Sequence, residues 1–80
     1  MELSSLTEFL VKSVSKNPDM VSVKEFNNDD EIIIEVLVSK DDIASIIGKG
    51  GVMINSIRNI VNLASYNKGN RSVKINIDAF

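Results

Sequence analysis

The sequence predicts an α+β domain with the element order α-β-β-α-α-β, in which helices pack on one face of a three-stranded mixed sheet. Three observations carry this prediction. Two segments place apolar residues at three- and four-residue spacing, which is typical of amphipathic helices, and a helix-start signal marks a third, shorter one. Other segments are rich in β-branched residues or alternate apolar with polar ones, which is typical of strands. A glycine-rich turn, Gly48–Gly51, separates the second and third helical segments.

The N-terminal segment reads as a helix over about residues 3–16, followed by a short strand. The helix is predicted from the spacing of Leu3, Leu6, Phe9, Leu10 and Val14. Asn17-Pro18 should end it, because a residue before proline is disfavoured in the helical region. The strand is predicted from Met20, Val21 and the residues from Val23 to Phe26. Residues 27–30 have the composition of a turn.

Glu31–Val38 is the clearest strand in the chain. Ile32, Ile34, Val36 and Val38 would share one face, with Ile33, Glu35 and Leu37 on the other. The third predicted strand ends the chain, because Val73, Ile75 and Ile77 alternate with Lys74, Asn76 and Asp78.

Two helices are predicted between these strands. Ser39, with Asp42 three residues later, marks the start of a short helix over about residues 40–47. A longer helix over about residues 52–66 would bury the stripe Met53, Ile54, Ile57, Ile60, Val61 and Ala64. Lys68-Gly69 supplies a C-terminal cation and a cap glycine.

Composition narrows the range of functions. The 80 residues predict one domain over residues 1–80, and the absence of cysteine and histidine removes disulfides and soft metal sites. No apolar run approaches the ~18 residues that span a bilayer. The N-terminus lacks the pattern of a signal peptide, so we expect a cytoplasmic protein. Nothing predicts catalytic residues, a metal, a cofactor, a membrane contact or a small-molecule substrate.

The charge is distributed unevenly along the chain. The net charge of −2 divides into a balance of −6 over residues 1–42 and +4 over residues 43–80. An acidic protein with this asymmetry can carry a local positive face, and steering of a partner depends on the local field. Lys68, Arg71 and Lys74 are candidates to extend such a face, or ordinary helix-end and strand cations.

The glycine turn has the chemistry of a phosphate contact. Glycines at both ends, Gly48 and Gly51, with Lys49 and Gly50 between them, allow close approach to a sugar-phosphate backbone. N–H groups at the start of the following helix attract anions. Arg58 is a candidate to contact a phosphate, or an ordinary solvated residue of the helix. A groove for bases would be lined from the set Ile43, Ile46, Ile47, Met53 and Ile54. The sequence leaves open which of these face the groove and which face the core, and a tight helix corner explains the same glycines.

The segment Ile46-Ile47-Gly48-Lys49-Gly50-Gly51, followed by Ile54, Ile57 and Arg58, resembles the GxxG loop of a KH domain. Almost the whole chain resembles a type II KH domain, and in size it resembles the small bacterial single-KH proteins called KhpA. The resemblance implies that the loop and its groove bind about four nucleotides of single-stranded RNA. It also implies a homodimer, or a heterodimer with a Jag (KhpB) KH protein. The role implied is post-transcriptional regulation or RNA chaperoning, often tied to cell-envelope growth and division.

Two functions therefore stay open. The first is a non-catalytic RNA-binding protein. The second is a protein-interaction module, with candidate surfaces on the first helix, on the second half of the long helix and at Ile33 and Leu37. An enzyme is disfavoured, because there is no histidine, cysteine or G-x-x-x-x-G-K-[ST] loop.

Overall fold

The computed structural model describes residues 2–67, 69 and 72–80. Within these residues the six elements follow the predicted order: α1 (Leu3–Ser13), β1 (Ser22–Asn27), β2 (Glu31–Val38), α2 (Lys40–Ile47), α3 (Val52–Asn67) and β3 (Ser72–Ala79). Two single 3₁₀ turns, Pro18–Met20 and Lys49–Gly51, lie between them. No helix in this part of the chain is long and apolar enough to cross a membrane.

The three strands form one mixed sheet in the order β1-β2-β3. β1 runs antiparallel to β2, with Lys24 opposite Glu35, and β3 runs parallel to β2, with Ile34 beside Ile75. A tight turn joins β1 to β2, in which the Asn28 side-chain oxygen accepts hydrogen bonds from the amides of Asp30 and Glu31. The predicted mixed sheet is therefore confirmed.

One face of the sheet forms the core beneath the helices. The alternation predicted for β2 is confirmed, since Ile32, Ile34, Val36 and Val38 are all at most 3% exposed, and Val73 and Ile75 of β3 join them. The opposite face carries Lys24, Glu35 and Asn76 together with the partly exposed Phe26 and Leu37.

The buried face of α1 includes a polar residue. Leu3, Thr7 and Val11 are buried and Leu6, Leu10 and Val14 pack against the core, whereas Phe9 is 61% exposed. The Thr7 hydroxyl donates to the Leu3 carbonyl at 2.8 Å and is thereby satisfied inside the core. A search for apolar residues alone misses this position.

Asp42 ties α2 to the connection between α1 and β1. Ser39 caps α2 through a hydrogen bond from the Asp41 amide, as its position predicts. Asp42 is fully buried, and its carboxylate accepts from the backbone amides of Lys16 and Asn17 at 2.8 and 2.9 Å. Burial alone would raise the pKa of Asp42, but these hydrogen bonds, the Asn17 side chain and the charge of Lys16 hold it below its usual value.

The buried stripe of α3 is narrower than predicted. Ile54, Ile57 and Val61 are buried as expected, and Ala64 packs against them. Met53 and Ile60, which we also assigned to the stripe, are 36% and 45% exposed. The predicted C-terminal cation, Lys68, lies outside the described residues. Gly69 has the positive φ of 71° expected at a helix end, and its amide donates to the Tyr66 carbonyl.

Candidate nucleic-acid interface

The glycine turn connects the end of α2 to the start of α3 through three residues with positive φ. Gly48 closes α2 with φ 79°, and its amide donates to the Ala44 carbonyl at 2.9 Å. Gly50 and Gly51 have φ values of 64° and 81°. The amide of Gly51 donates to the Gly48 carbonyl at 3.1 Å, which closes the 3₁₀ turn that leads into α3. L-residues with a Cβ rarely adopt these angles, so the glycines are explained by the path of the backbone.

The two sides of this loop differ in the space they offer. A Cβ on Gly48 would lie 2.8 Å from both the Cβ and the backbone N of Met53, so the inner side is closed by α3. A Cβ on Gly50 would meet no atom within 4 Å. The outer side of the loop is therefore open to an approaching ligand backbone.

Lys49 adds the positive charge at this open side. Its side chain is exposed, and the backbone amides of Lys49 and Gly50 precede the first hydrogen-bonded turn of the following helix, where N–H groups have no intrahelical acceptor. The positive end of the α3 dipole lies at the same point. Amides, dipole and ammonium all favour an anion here.

The structure separates the five apolar residues that were candidates for the groove. Ile46 is 0% and Ile54 is 4% exposed, so of the candidates whose place the sequence left open, these two belong to the core. Ile47 and Met53 are each 36% exposed, and Ile43 is partly buried one turn before Ile47. These three residues, Ile43, Ile47 and Met53, are called the apolar patch below.

Val52 was missed by the sequence analysis. It is 67% exposed at the first position of α3, directly after Gly51. Apolar spacing gave no signal for it, because it lies outside the buried stripe of the helix. An exposed valine beside the loop extends the apolar surface that a ligand would meet.

Arg58 lies between α3 and the free edge of β3. Its Nε and Nη2 donate to the Ile75 carbonyl at 3.3 and 3.1 Å, and its Nη1 donates to Asn55 Oδ1 at 3.1 Å. The guanidinium thus joins helix to strand, and its expected contact with a phosphate stays a prediction. Asn55, which the sequence analysis did not single out, is placed by this contact in the first turn of α3.

The two acidic residues of α2, Asp41 and Asp42, lie at the end of the helix opposite the glycine loop. Both are in the first turn of α2, and the rise of the helix separates them from Gly48 by about 9–11 Å. Asp42 is buried and hydrogen-bonded, so it does not face the groove. Of the other cations considered, Lys74 is exposed on β3, while Lys68 and Arg71 lie outside the described residues.

Known proteins resemble this chain over most of its length. The family model described as "KhpA/KhpB, KH domain" matches residues 4–77. A protein of Clostridium perfringens named RNA-binding protein KhpA is 35% identical over 75 residues, which cover 94% of this chain and 99% of that protein. A protein of the same name from Chlamydia caviae is 38% identical over 68 residues, which cover 84% of this chain and 87% of that one.

A solved structure extends the likeness to the fold. A crystal structure of Era from Aquifex aeolicus matches with a TM-score of 0.72 at 14% identity, covering 98% of this chain and 30% of that one. The α-β-β-α-α-β order and the mixed sheet are those of a type II KH fold, as predicted. On the family match and the two relatives, this chain belongs to the KhpA/KhpB family of KH domains and is of the KhpA type.

Proposed function

We propose that this protein binds short single-stranded RNA, with the Gly48–Gly51 loop holding a phosphate and the apolar patch receiving bases. The observation that carries the proposal is the open outer side of the loop at Gly50, next to the exposed Lys49. The names of the relatives, RNA-binding protein KhpA, support the same ligand.

The loop favours a phosphodiester for three physical reasons. No side chain at Gly50 blocks the approach of the backbone. The amides that precede the first turn of α3 point their partial positive charge toward the ligand. Lys49 supplies a full charge on a flexible stem, which follows a phosphate without fixing its orientation. Together they grip the backbone without reading its sequence.

The apolar patch sets how bases are received. Ile43, Ile47 and Met53 offer aliphatic contacts, which gain free energy from burial but discriminate weakly among bases. None of the three is aromatic, so the stacking that gives about 1–3 kcal/mol per base in other modules is not available from them. Weak, sequence-tolerant binding suits an RNA chaperone or a post-transcriptional regulator.

The experiment is fluorescence anisotropy of a labelled octauridine titrated with wild type and with a Lys49→Asp, Gly50→Asp double variant. Aspartate is one of the L-residues that best tolerate the φ of Gly50, and a side chain there meets no atom, so the fold should survive. A Lys49→Gln, Gly50→Asn variant is the matched neutral control. Circular dichroism establishes that all three proteins are folded.

We expect the aspartate variant to lose binding and the neutral variant to keep part of it. When the titration is repeated at several salt concentrations, the dependence of log affinity on log salt concentration should be shallower for the neutral variant than for wild type. The expected difference is about one unit, the contribution of a single phosphate contact. Equal affinities of wild type and the aspartate variant would refute the loop as the binding site. Absence of binding by wild type would refute the proposed function.

Pairing of KH domains is a second function that a specific observation supports. α3 presents Ile60, Leu63 and Tyr66 on its outer side, at 45%, 65% and 80% exposure. This row, called the α3 stripe below, lies in the second half of the helix, away from the glycine loop. A stripe on one helix is self-complementary across a two-fold axis, so a second copy of the chain is the occupant we propose. A KhpB-type domain is the alternative partner.

The two functions are compatible. An RNA-binding site of low affinity gains from a second linked site, because the second contact becomes intramolecular. Since the α3 stripe and the glycine loop occupy opposite ends of α3, a dimer formed through the stripe leaves both loops accessible.

A further inference from the structure

Four asparagines occur along α3. Fold stability explains how the side chain of Asn62 is held, but not how that of Asn55 is held. Asn62 uses both ends of its amide: Oδ1 accepts from the Val73 amide, and Nδ2 donates to the carbonyls of Val73 and Arg58. Asn55 uses one end only. Among the described residues, Arg58 is the one hydrogen-bond partner of its side chain, through Nη1 to Oδ1 at 3.1 Å.

This contact fixes which way the Asn55 amide points. An arginine offers only donors, so it selects the oxygen of the amide, and a flipped amide would set donor against donor. The guanidinium cannot turn away freely, because its Nε and Nη2 are bound to the Ile75 carbonyl of β3. The NH2 group of Asn55 is therefore directed away from Arg58.

The NH2 group is directed toward the glycine loop. Asn55 Nδ2 is the nearest atom to the position that a Cβ on Gly51 would occupy, at 3.6 Å. The side chain is exposed, so a ligand can reach it. A neutral donor with a free hydrogen thus lies beside the loop, oriented by a cation whose field strengthens it as a donor.

We infer that Asn55 donates a hydrogen bond to a phosphodiester oxygen of the bound strand, and that Arg58 is the positioning residue that aims it. The inference rests on the RNA binding proposed above and names two further residues of that site. It also gives Arg58 a role that needs no direct contact with RNA. Its charge acts through the Asn55 amide, while its Nε and Nη2 stay bound to the Ile75 carbonyl.

The test compares Asn55→Asp with Asn59→Asp. Aspartate keeps an oxygen for Arg58 but replaces the NH2 donor by a second, negatively charged oxygen facing the loop. Asn59 is exposed one turn further along the same helix, so its substitution adds the same charge at a position farther from the loop. The probes are labelled octauridine and octaadenosine, measured by anisotropy alongside the Lys49→Asp, Gly50→Asp variant.

We expect Asn55→Asp to weaken binding of both oligonucleotides about tenfold or more, the effect of losing a hydrogen bond to a charged group, and Asn59→Asp to weaken it less than about threefold. Equal losses at positions 55 and 59 would overturn the inference while leaving the loop variant to decide the proposed function. A loss confined to one oligonucleotide would also overturn it, because a base would then be the acceptor. No binding by wild type would overturn both.

The role of Arg58 is tested by a double-mutant cycle with Arg58→Lys and Asn55→Ala. Lysine retains the charge but cannot hold both Ile75 and Asn55 in one planar fork. If Arg58 acts by aiming Asn55, Arg58→Lys weakens RNA binding severalfold in the wild-type background and has no effect once Asn55 is alanine. A loss that persists in the Asn55→Ala background would show a direct or purely structural role instead.

Discussion

Asn62 pairs with Val73 as a neighbouring strand would. Its Oδ1 accepts from the Val73 amide at 2.9 Å, and its Nδ2 donates to the Val73 carbonyl at 3.1 Å. A side chain of α3 thereby covers the free edge of β3 at Val73, and Arg58 covers it at Ile75, two residues further along the strand. An edge that is closed in this way cannot easily add another strand. The same bonds hold α3, and with it the glycine loop, against the sheet.

Replacing Asn62 by alanine should therefore destabilise the domain by about 2 kcal/mol, because the paired groups of Val73 lose their partner. Hydrogen exchange offers a local measurement, since the Val73 amide should exchange faster than the amides of β2 in the variant. Asn59→Ala, at an exposed position of the same helix, is the control and should change neither quantity. An unchanged Val73 exchange rate would contradict the role assigned to Asn62.

Asp42 should make the stability depend on acid. Because its pKa is lower in the folded protein than in the unfolded chain, the ionised carboxylate stabilises the fold in full above about pH 4 and loses this effect as the pH falls through its folded pKa. Asp42→Asn places an NH2 donor against the amides of Lys16 and Asn17, so Tm at pH 7 should fall by about 5 °C or more.

The matched control is Asp41→Asn, which removes the same charge from an exposed position in the same turn. Thermal melts at pH 7 and pH 3 should show that Asp42→Asn narrows the difference between the two conditions, whereas Asp41→Asn leaves most of it. Similar behaviour of the two variants would mean that the general charge of the turn, and not the buried carboxylate, causes the acid sensitivity.

Substitution by alanine should destabilise the fold more at Gly48 than at Gly50. At Gly48 the new Cβ meets the Cβ and N of Met53 at 2.8 Å in addition to the cost of positive φ, so the loss should reach about 3 kcal/mol or more. At Gly50 only the backbone cost of about 1 kcal/mol applies. Urea unfolding of both variants measures this directly, and equal losses would contradict the closed and open sides of the loop described above.

The sequence predicted the sheet better than the helix faces. Alternate side chains of a strand lie on opposite faces of the sheet, so the alternating apolar residues of β2 and β3 can only share one face. Ile34 and Ile75 lie in the core as this alternation requires. Helix faces depend on a few tens of degrees of rotation. Spacing grouped Phe9 with the apolar residues that predict α1, although it is 61% exposed, and gave no signal for the buried Thr7, whose hydroxyl is satisfied by the helix itself.

The candidate site shows the same limit. The glycines were identified from the sequence because their chemistry is local, and the positive φ values fit that reasoning. Ile46 and Ile47 are adjacent and chemically identical, and only the rotation of α2 sends the first into the core and leaves the second partly exposed. The sequence could not distinguish Asn55 from Asn62, because their roles depend on how α3 packs against β3. The sequence pattern does not determine that packing.

The α3 stripe predicts a specific effect on self-association. Leu63 is 65% exposed, so most of its apolar surface gains nothing from packing within its own domain. If a second copy covers it, Leu63→Lys places two charges near the two-fold axis and should shift the protein to monomer in sedimentation velocity at tens of micromolar. Leu37→Lys, at a partly exposed leucine on the open face of the sheet, is the matched control and should leave association unchanged.

The sedimentation results for the two variants identify which surface forms the contact between copies. A dimer lost in Leu63→Lys but kept in Leu37→Lys places the contact on α3, and RNA affinity measured on the monomeric variant should then fall without any change at the loop, since one of two linked sites is lost. A dimer lost in Leu37→Lys alone would move the interface to the sheet. A wild type that stays monomeric at this concentration, yet forms a complex with a KhpB-type domain that Leu63→Lys abolishes, would assign the stripe to that partner and overturn the homodimer.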